Sequence, residues 1–169
     1  MCRILTFVCI LITFSGYSQE VPRPMEMLQS KAPMPKWELT DIDGKKFNGD
    51  SIEAKLILID FWYKACVPCQ RAAPVIETLY NEFKDSGLVV LGMNVRDLDS
   101  PELRKYLDDK KITYPTLLNA KDVANDFRIG SYPTFYMIGK DHKVILAFAG
   151  YSPELEEYLR ELIVMFINK

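Results

Sequence analysis

The chain has 169 residues, 49% of them hydrophobic and 26% charged, and its 21 basic and 23 acidic side chains leave a formal net charge of −2. Such a composition belongs to a folding globular chain and excludes a disordered or collagen-like one. With no basic excess there is no electrostatic footprint for nucleic acid, and no apolar run reaches the roughly 20 residues that a membrane-spanning helix requires.

The first segment reads as an export signal. Met1, Cys2 and Arg3 make a short cationic start, residues 4–14 are apolar, and small residues Gly16 and Ser18 precede Gln19. This is the pattern of a leader cut after Ser18, with an uncleaved anchor or a buried N-terminal helix as the alternatives. Cys9 follows Phe7 and Val8 inside the apolar stretch, which argues against lipidation there. Pro22, Pro24, Pro33 and Pro35 then interrupt any periodicity before Trp37. The expected organisation is a signal peptide at 1–18, a proline-rich linker at 19–32 and one domain at 33–169. Once the leader is removed, no stable membrane insertion is expected.

Within the domain, residues 37–40 look extended, and Asp43-Gly44 marks a tight turn into a second short strand at Phe47. Residues 56–62 and 88–95 are near-continuous apolar runs of strand length, the signature of strands covered on both faces. Between them Val75, Ile76, Leu79, Tyr80 and Phe83 recur at helical spacing, and Gly87 supplies a stop. Ser100 and Pro101 predict the cap and first turn of a helix to about Lys111, followed by an extended stretch at 113–118 and a short helix at 122–127. Residues 135–138 and 144–148 predict two antiparallel strands. A last helix is expected to be capped by Ser152 and opened by Pro153, with a stripe of Leu155, Tyr158, Leu159, Leu162, Ile163 and Phe166. The order is strand-helix-strand, a helical connection, then strand-strand-helix.

The cysteines carry the chemistry. Of four, Cys2 and Cys9 belong to the leader, and the mature chain keeps Cys66 and Cys69 alone. An exported chain whose only thiols are spaced C-x-x-C points to redox exchange and not to a disulfide scaffold. Cys66 is expected at a helix N-terminus, where unpaired N–H groups and the helix dipole favour its thiolate and lower its pKa below the usual value of about 8.5. It is the expected nucleophile. Cys69, one turn further on and expected to be more enclosed, resolves the mixed disulfide that Cys66 forms. Structural zinc takes four ligands, whereas the mature chain offers these two cysteines and His142, so no metal is expected. A static disulfide closing so small a loop gains little chain entropy. Asp60, an ionisable group within an apolar strand, is expected to have a raised pKa, the condition for accepting a proton near neutrality; a hydrogen-bonded or edge-exposed aspartate is the alternative.

Phe61 and Trp62 ahead of Cys66-Val67-Pro68-Cys69, with Pro74 in the following helix and Tyr132-Pro133-Thr134 downstream, resemble the thioredoxin superfamily, and specifically exported thiol-disulfide oxidoreductases of the TlpA/ResA type. The resemblance covers about residue 33 to the C-terminus. It implies an α/β, thioredoxin-like fold: a central mixed β-sheet flanked by helices, with an N-terminal β-hairpin extension and a central inserted segment. It implies that Pro133 is a cis-proline facing the cysteines, with Pro115 as the competing candidate, and that Pro74 kinks its helix. It also implies that Asp60 stands behind the resolving cysteine. Tyr132, Val67, Pro68 and Trp62 are expected to flank the substrate, although aromatics beside a core strand are more often packing residues.

The implied activity is dithiol-disulfide exchange with protein thiols and disulfides in the periplasm or cell envelope, in the reducing direction, without a cofactor and with a membrane thiol carrier as electron donor. A binding or chaperone-like module without turnover, and a disulfide oxidant or isomerase, are the alternatives. Two departures bear on the finer assignment. Ala65 stands where many relatives carry Trp, and Ala72 stands where many ResA-like proteins carry a glutamate, which weakens an assignment to cytochrome c maturation. Tyr63 and Ile59 replace the Thr and Pro of the peroxiredoxin pattern, so peroxidase activity is not expected.

Overall fold

In the computed structural model, which describes residues 27–169, the chain opens with a small antiparallel hairpin. Its strands are β1 (Glu38–Thr40) and β2 (Lys46–Asn48). The turn between them is built by Asp41, whose carboxylate accepts the N–H groups of Asp43 and Lys45 at 3.0 and 2.8 Å, and by Gly44 at φ +83°. The central elements are β3 (Leu56–Trp62), α1 (Val67–Phe83) and β4 (Leu88–Asn94), the strand-helix-strand unit that the apolar runs predicted. Then follow α2 (Pro101–Lys110), the two-residue β5 (Thr116–Leu117), α3 (Lys121–Asp126), β6 (Thr134–Gly139), β7 (Val144–Ala149) and α4 (Leu155–Ile167). The expected leader at 1–18 lies outside the described residues.

Five strands form one mixed sheet in the order β5-β4-β3-β6-β7. β3, β4 and β5 run parallel, while β6 is antiparallel to both β3 and β7. β3 is buried at all its positions because both faces are covered. Its odd-numbered residues Ile57, Ile59 and Phe61 pack with Leu91, Met93, Phe127 and Tyr136 on the α3 side. Leu56 and Leu58 pack with Ile76 and Leu79 of α1 and Leu159 and Ile163 of α4 on the other. Strand alternation therefore assigns Asp60 and Trp62 to the α1 face.

The hairpin protects the short β5 edge. The Ile42 N–H donates to the Thr116 carbonyl at 2.9 Å and the Leu118 N–H to the Thr40 carbonyl at 3.0 Å, so backbone groups that an edge strand leaves open are paired. On the helical side, Glu77 is a buried carboxylate that accepts from the Thr113 N–H at 2.7 Å, the Thr113 hydroxyl at 2.5 Å and the Asn81 amide at 2.6 Å. It ties α1 to the segment that follows α2. Nothing in the spacing of Glu77 marks it for this, since its partner lies 36 residues away.

Two expectations need correction. Residues 27–32, assigned to the linker, are bound to the domain: the Leu28 N–H donates to the Tyr136 hydroxyl at 2.9 Å, the Lys31 N–H to the Val144 carbonyl at 2.7 Å, and Met27 and Leu28 pack on the core. The edge of β7 supplies the backbone partners that a proline-rich composition does not reveal. Ser152 does not cap α4 with its hydroxyl. Its carbonyl accepts the Leu155 N–H at 3.1 Å, so Ser152 and Pro153 form a turn ahead of the helix. The buried stripe of α4 is Leu155, Leu159, Ile163 and Ile167, and Tyr158 is 45% exposed with its ring edge-on to Phe148.

Candidate active site

Cys66 is the N-cap residue of α1 and Pro68 lies in the first turn, where a proline removes no helical hydrogen bond. The Cys69 N–H donates to Cys66 Sγ at 3.2 Å, so the sulfur takes up one of the helix's otherwise unpaired donors. Cys66 and Cys69 are joined by a disulfide with Cα atoms 5.2 Å apart. The helix passes through Pro74 without ending. The approach loop is held from two sides: the Lys64 N–H donates to the Asp97 carboxylate at 2.6 Å, and the Gln70 side-chain amide donates to the Lys64 carbonyl at 2.7 Å. Asp97 is fixed in turn by the Asn94 amide at 2.9 Å, and the Asn94 carbonyl oxygen accepts the Arg96 and Asp97 N–H groups. The end of β4 thus sets the position of the cysteine loop.

The expected contrast in exposure between the two cysteines is small. Cys66 is 4% exposed and Cys69 is 2% exposed, because both belong to one buried cluster with Trp62, Leu103, Leu107 and Leu118. Their neighbours Ala65, Val67 and Pro68 are exposed. What separates the two cysteines is their place on the helix end.

The peptide bond between Tyr132 and Pro133 is cis, and Pro115 carries no such bond. The Pro133 carbonyl accepts the Gly150 N–H at 2.8 Å, whereas the N–H and C=O of Tyr132 take no partner among the described residues. Tyr132 and Tyr63 meet edge to face with ring centroids 5.4 Å apart, joining the proline loop to the cysteine loop. Trp62, expected beside the substrate, is instead 2% exposed and stacked on Tyr106 of α2 at 5.7 Å. It lies beneath the site because the alternation of β3 turns it inward, and Tyr63, one residue on, is the aromatic at the surface.

Asp60 is 2% exposed, and one of its carboxyl oxygens has no hydrogen-bond partner among the described residues. Burial alone pushes its pKa up to about 8. It stands on the face that α1 covers, directly across from Gly92, which is itself paired with Thr116. Burial and the nearby Asp60 together push the Tyr106 hydroxyl up to about 12 and hold Tyr114 well above the ordinary tyrosine range. Gly92 is required sterically: a Cβ there would lie 2.9 Å from both Trp62 Nε1 and the Tyr114 ring. Gly92→Ala is expected to destabilise the protein by about 1–3 kcal/mol through overpacking, read as a lower denaturant midpoint at unchanged slope.

Among the described residues no group of His, Cys, Asp and Glu is arranged to hold a metal. Ala72, fully buried against the core, supplies no carboxylate to the site.

A cysteine pair capping a helix beside a cis-proline loop, on a sheet of this order, defines a thiol-disulfide oxidoreductase of thioredoxin-like fold. The chain belongs to the AhpC/TSA family, whose model matches residues 30–147. It is 25% identical to thiol-disulfide oxidoreductase ResA of Bacillus thuringiensis over 95% of this chain and 96% of that one. Among solved structures it is similar to a thiol:disulfide interchange protein from Bacteroides sp., with a TM-score of 0.72 and 21% identity over 84% of this chain and 92% of the other. It is also similar to a thioredoxin-family thiol:disulfide interchange protein from Chlorobium tepidum, with a TM-score of 0.71 and 20% identity over 83% and 98%.

Proposed function

We propose that the protein is exported by its N-terminal leader and acts as a disulfide reductase on other proteins. Reduced Cys66, as thiolate, attacks one sulfur of a substrate disulfide, forms the mixed disulfide and expels the first substrate thiolate. Cys69 gives its proton to the Asp60 carboxylate and attacks Cys66 Sγ. This closes the Cys66–Cys69 bond and expels the second substrate thiolate, which takes up a proton. The substrate gains two electrons and the dithiol loses two. A membrane thiol carrier then returns the pair to the dithiol state.

The observation that carries this reading is the Cys69 N–H directed at Cys66 Sγ on the helix end. A donor already in place stabilises negative charge on that sulfur and on no other. The unpaired backbone of Tyr132 supports docking of an extended substrate segment beside Pro133, and Val67 and Pro68 are exposed next to the cysteines. Asp60, with its pKa raised to about 8 by burial, supplies in its carboxylate form the acceptor for the Cys69 proton.

The test is insulin reduction coupled to a redox titration of the Cys66/Cys69 pair. A reductase gives turnover and a potential well below about −220 mV, whereas a value near −120 mV reverses the direction to oxidation. Insulin left intact by the fully reduced protein overturns the catalytic reading altogether.

A further inference from the structure

We propose that Arg96 selects substrates, recognising an acidic side chain within two residues of the cystine that the protein opens; this rests on the exchange reading above. The Arg96 guanidinium lies 4.1 Å from the Tyr63 ring centroid and 5.9 Å from that of Tyr132. Those two tyrosines are the residues through which the cysteine loop and the proline loop touch. Tyr63 is joined to Cys66 directly, since its carbonyl accepts the Cys66 N–H at 3.1 Å, and Tyr132 immediately precedes Pro133. The cation is therefore held at the mouth of the site, between the two loops that a substrate segment must meet.

Its donors are not consumed there. Arg104 is paired with Asp43 and Asp99, and Arg160 with Glu82 and Glu156, but no carboxylate lies within ion-pair distance of Arg96 among the described residues. The adjacent acid, Asp97, is occupied by the Lys64 N–H and the Asn94 amide. No hydrogen bond or ion pair among the described residues uses the guanidinium N–H groups beside these two rings, which leaves the fork free for a carboxylate. Val67, next to Cys66, and Leu98, two residues after Arg96, add exposed apolar side chains at 58% and 71%. The partner that fits is a protein segment with an acidic residue beside its cysteine and apolar residues around it.

The experiment uses the reduced protein and three disulfide peptides of one sequence, with Glu, Gln or Lys next to one cysteine. Each rate is divided by that peptide's rate with dithiothreitol, which removes the effect of the neighbouring charge on the leaving thiol. The Glu peptide is expected to exceed the Gln peptide by about fivefold at low salt, the range of an exposed ion pair, and the preference should shrink as ionic strength rises. Arg96→Gln should bring the Glu-to-Gln ratio to about one and Arg96→Glu should favour the Lys peptide, while Arg160→Gln keeps the wild-type ratio. Opening of all three peptides with equal normalised rates, or an unchanged ratio in Arg96→Gln, overturns the role of Arg96 and leaves the exchange reading intact. Failure to open any peptide overturns both.

Discussion

Cys69→Ser is expected to accumulate a covalent complex with substrate through Cys66, visible on a non-reducing gel and released by dithiothreitol, while Cys66→Ser accumulates none. Both variants should lose insulin turnover by on the order of a thousandfold or more, because the two sulfurs act as a unit and a serine hydroxyl neither attacks nor resolves a disulfide. The asymmetry follows from the helix end. Exposures of 4% and 2% do not distinguish the cysteines, but only Cys66 stands at the N-cap with a backbone N–H on its sulfur. An attacking thiolate is stabilised there by the unpaired donors and the dipole, whereas Cys69 is buried within the first turn. Trapping by Cys66→Ser in place of Cys69→Ser would exchange the two roles.

Asp60→Asn should stabilise the oxidised protein and remove a titration from its stability curve. The ordinary value for this carboxyl is 3.8, and burial raises it to about 8. Below about pH 4 the group is neutral in both folded and unfolded chains and contributes nothing to the difference. Between about 4 and 8 the folded protein holds a proton that the unfolded chain has released, so stability falls as pH rises, by roughly 4 kcal/mol in total at pH 7. Asparagine does not titrate, but its amide inherits a site with an unpaired polar atom, which offsets part of the gain. The expected net stabilisation is about 1–3 kcal/mol at pH 7, larger at pH 8.5 and absent near pH 4, measured by denaturant unfolding. Parallel pH curves for the two proteins would refute the buried-acid reading. In catalysis the same variant should slow resolution of the mixed disulfide. The wild-type rate should rise with pH through about 8 as the carboxylate forms, and the Asn variant should lack that inflection.

Among the described residues Asp60 accepts no compensating hydrogen bond on one oxygen and pairs with no cation, so its charged form is disfavoured by burial. With its pKa raised to about 8 by burial, it can hold a proton at neutral pH and release it as the solution becomes mildly alkaline. The two effects of Asp60→Asn, greater stability and slower resolution, are therefore expected together.

Much of this was legible in the residues themselves, for local reasons. A near-continuous apolar run, interrupted by Asp60 alone, declares a strand covered on both faces, and β3 matches 56–62 at both ends. Ser100 and Pro101 announce a helix start because the cap bond spans only three residues, and the Leu103 N–H does donate to the Ser100 hydroxyl at 3.2 Å. The C-x-x-C pair, its place at a helix mouth and the burial of Asp60 could be read from spacing and alternation. Where a backbone group competed, local reading failed: the Ser152 carbonyl displaced its hydroxyl as the partner of Leu155.

By itself, then, the sequence determined the order of elements, the redox pair and the buried acid, since each depends on contacts within a turn or on the two-residue period of a strand. Only the tertiary structure decided that Trp62 stacks on Tyr106, that residues 27–32 are pinned along β7, and that Arg96 stands between Tyr63 and Tyr132. Those arrangements join residues tens of positions apart, and they are set by which strands become neighbours. No local pattern of residues carries that information.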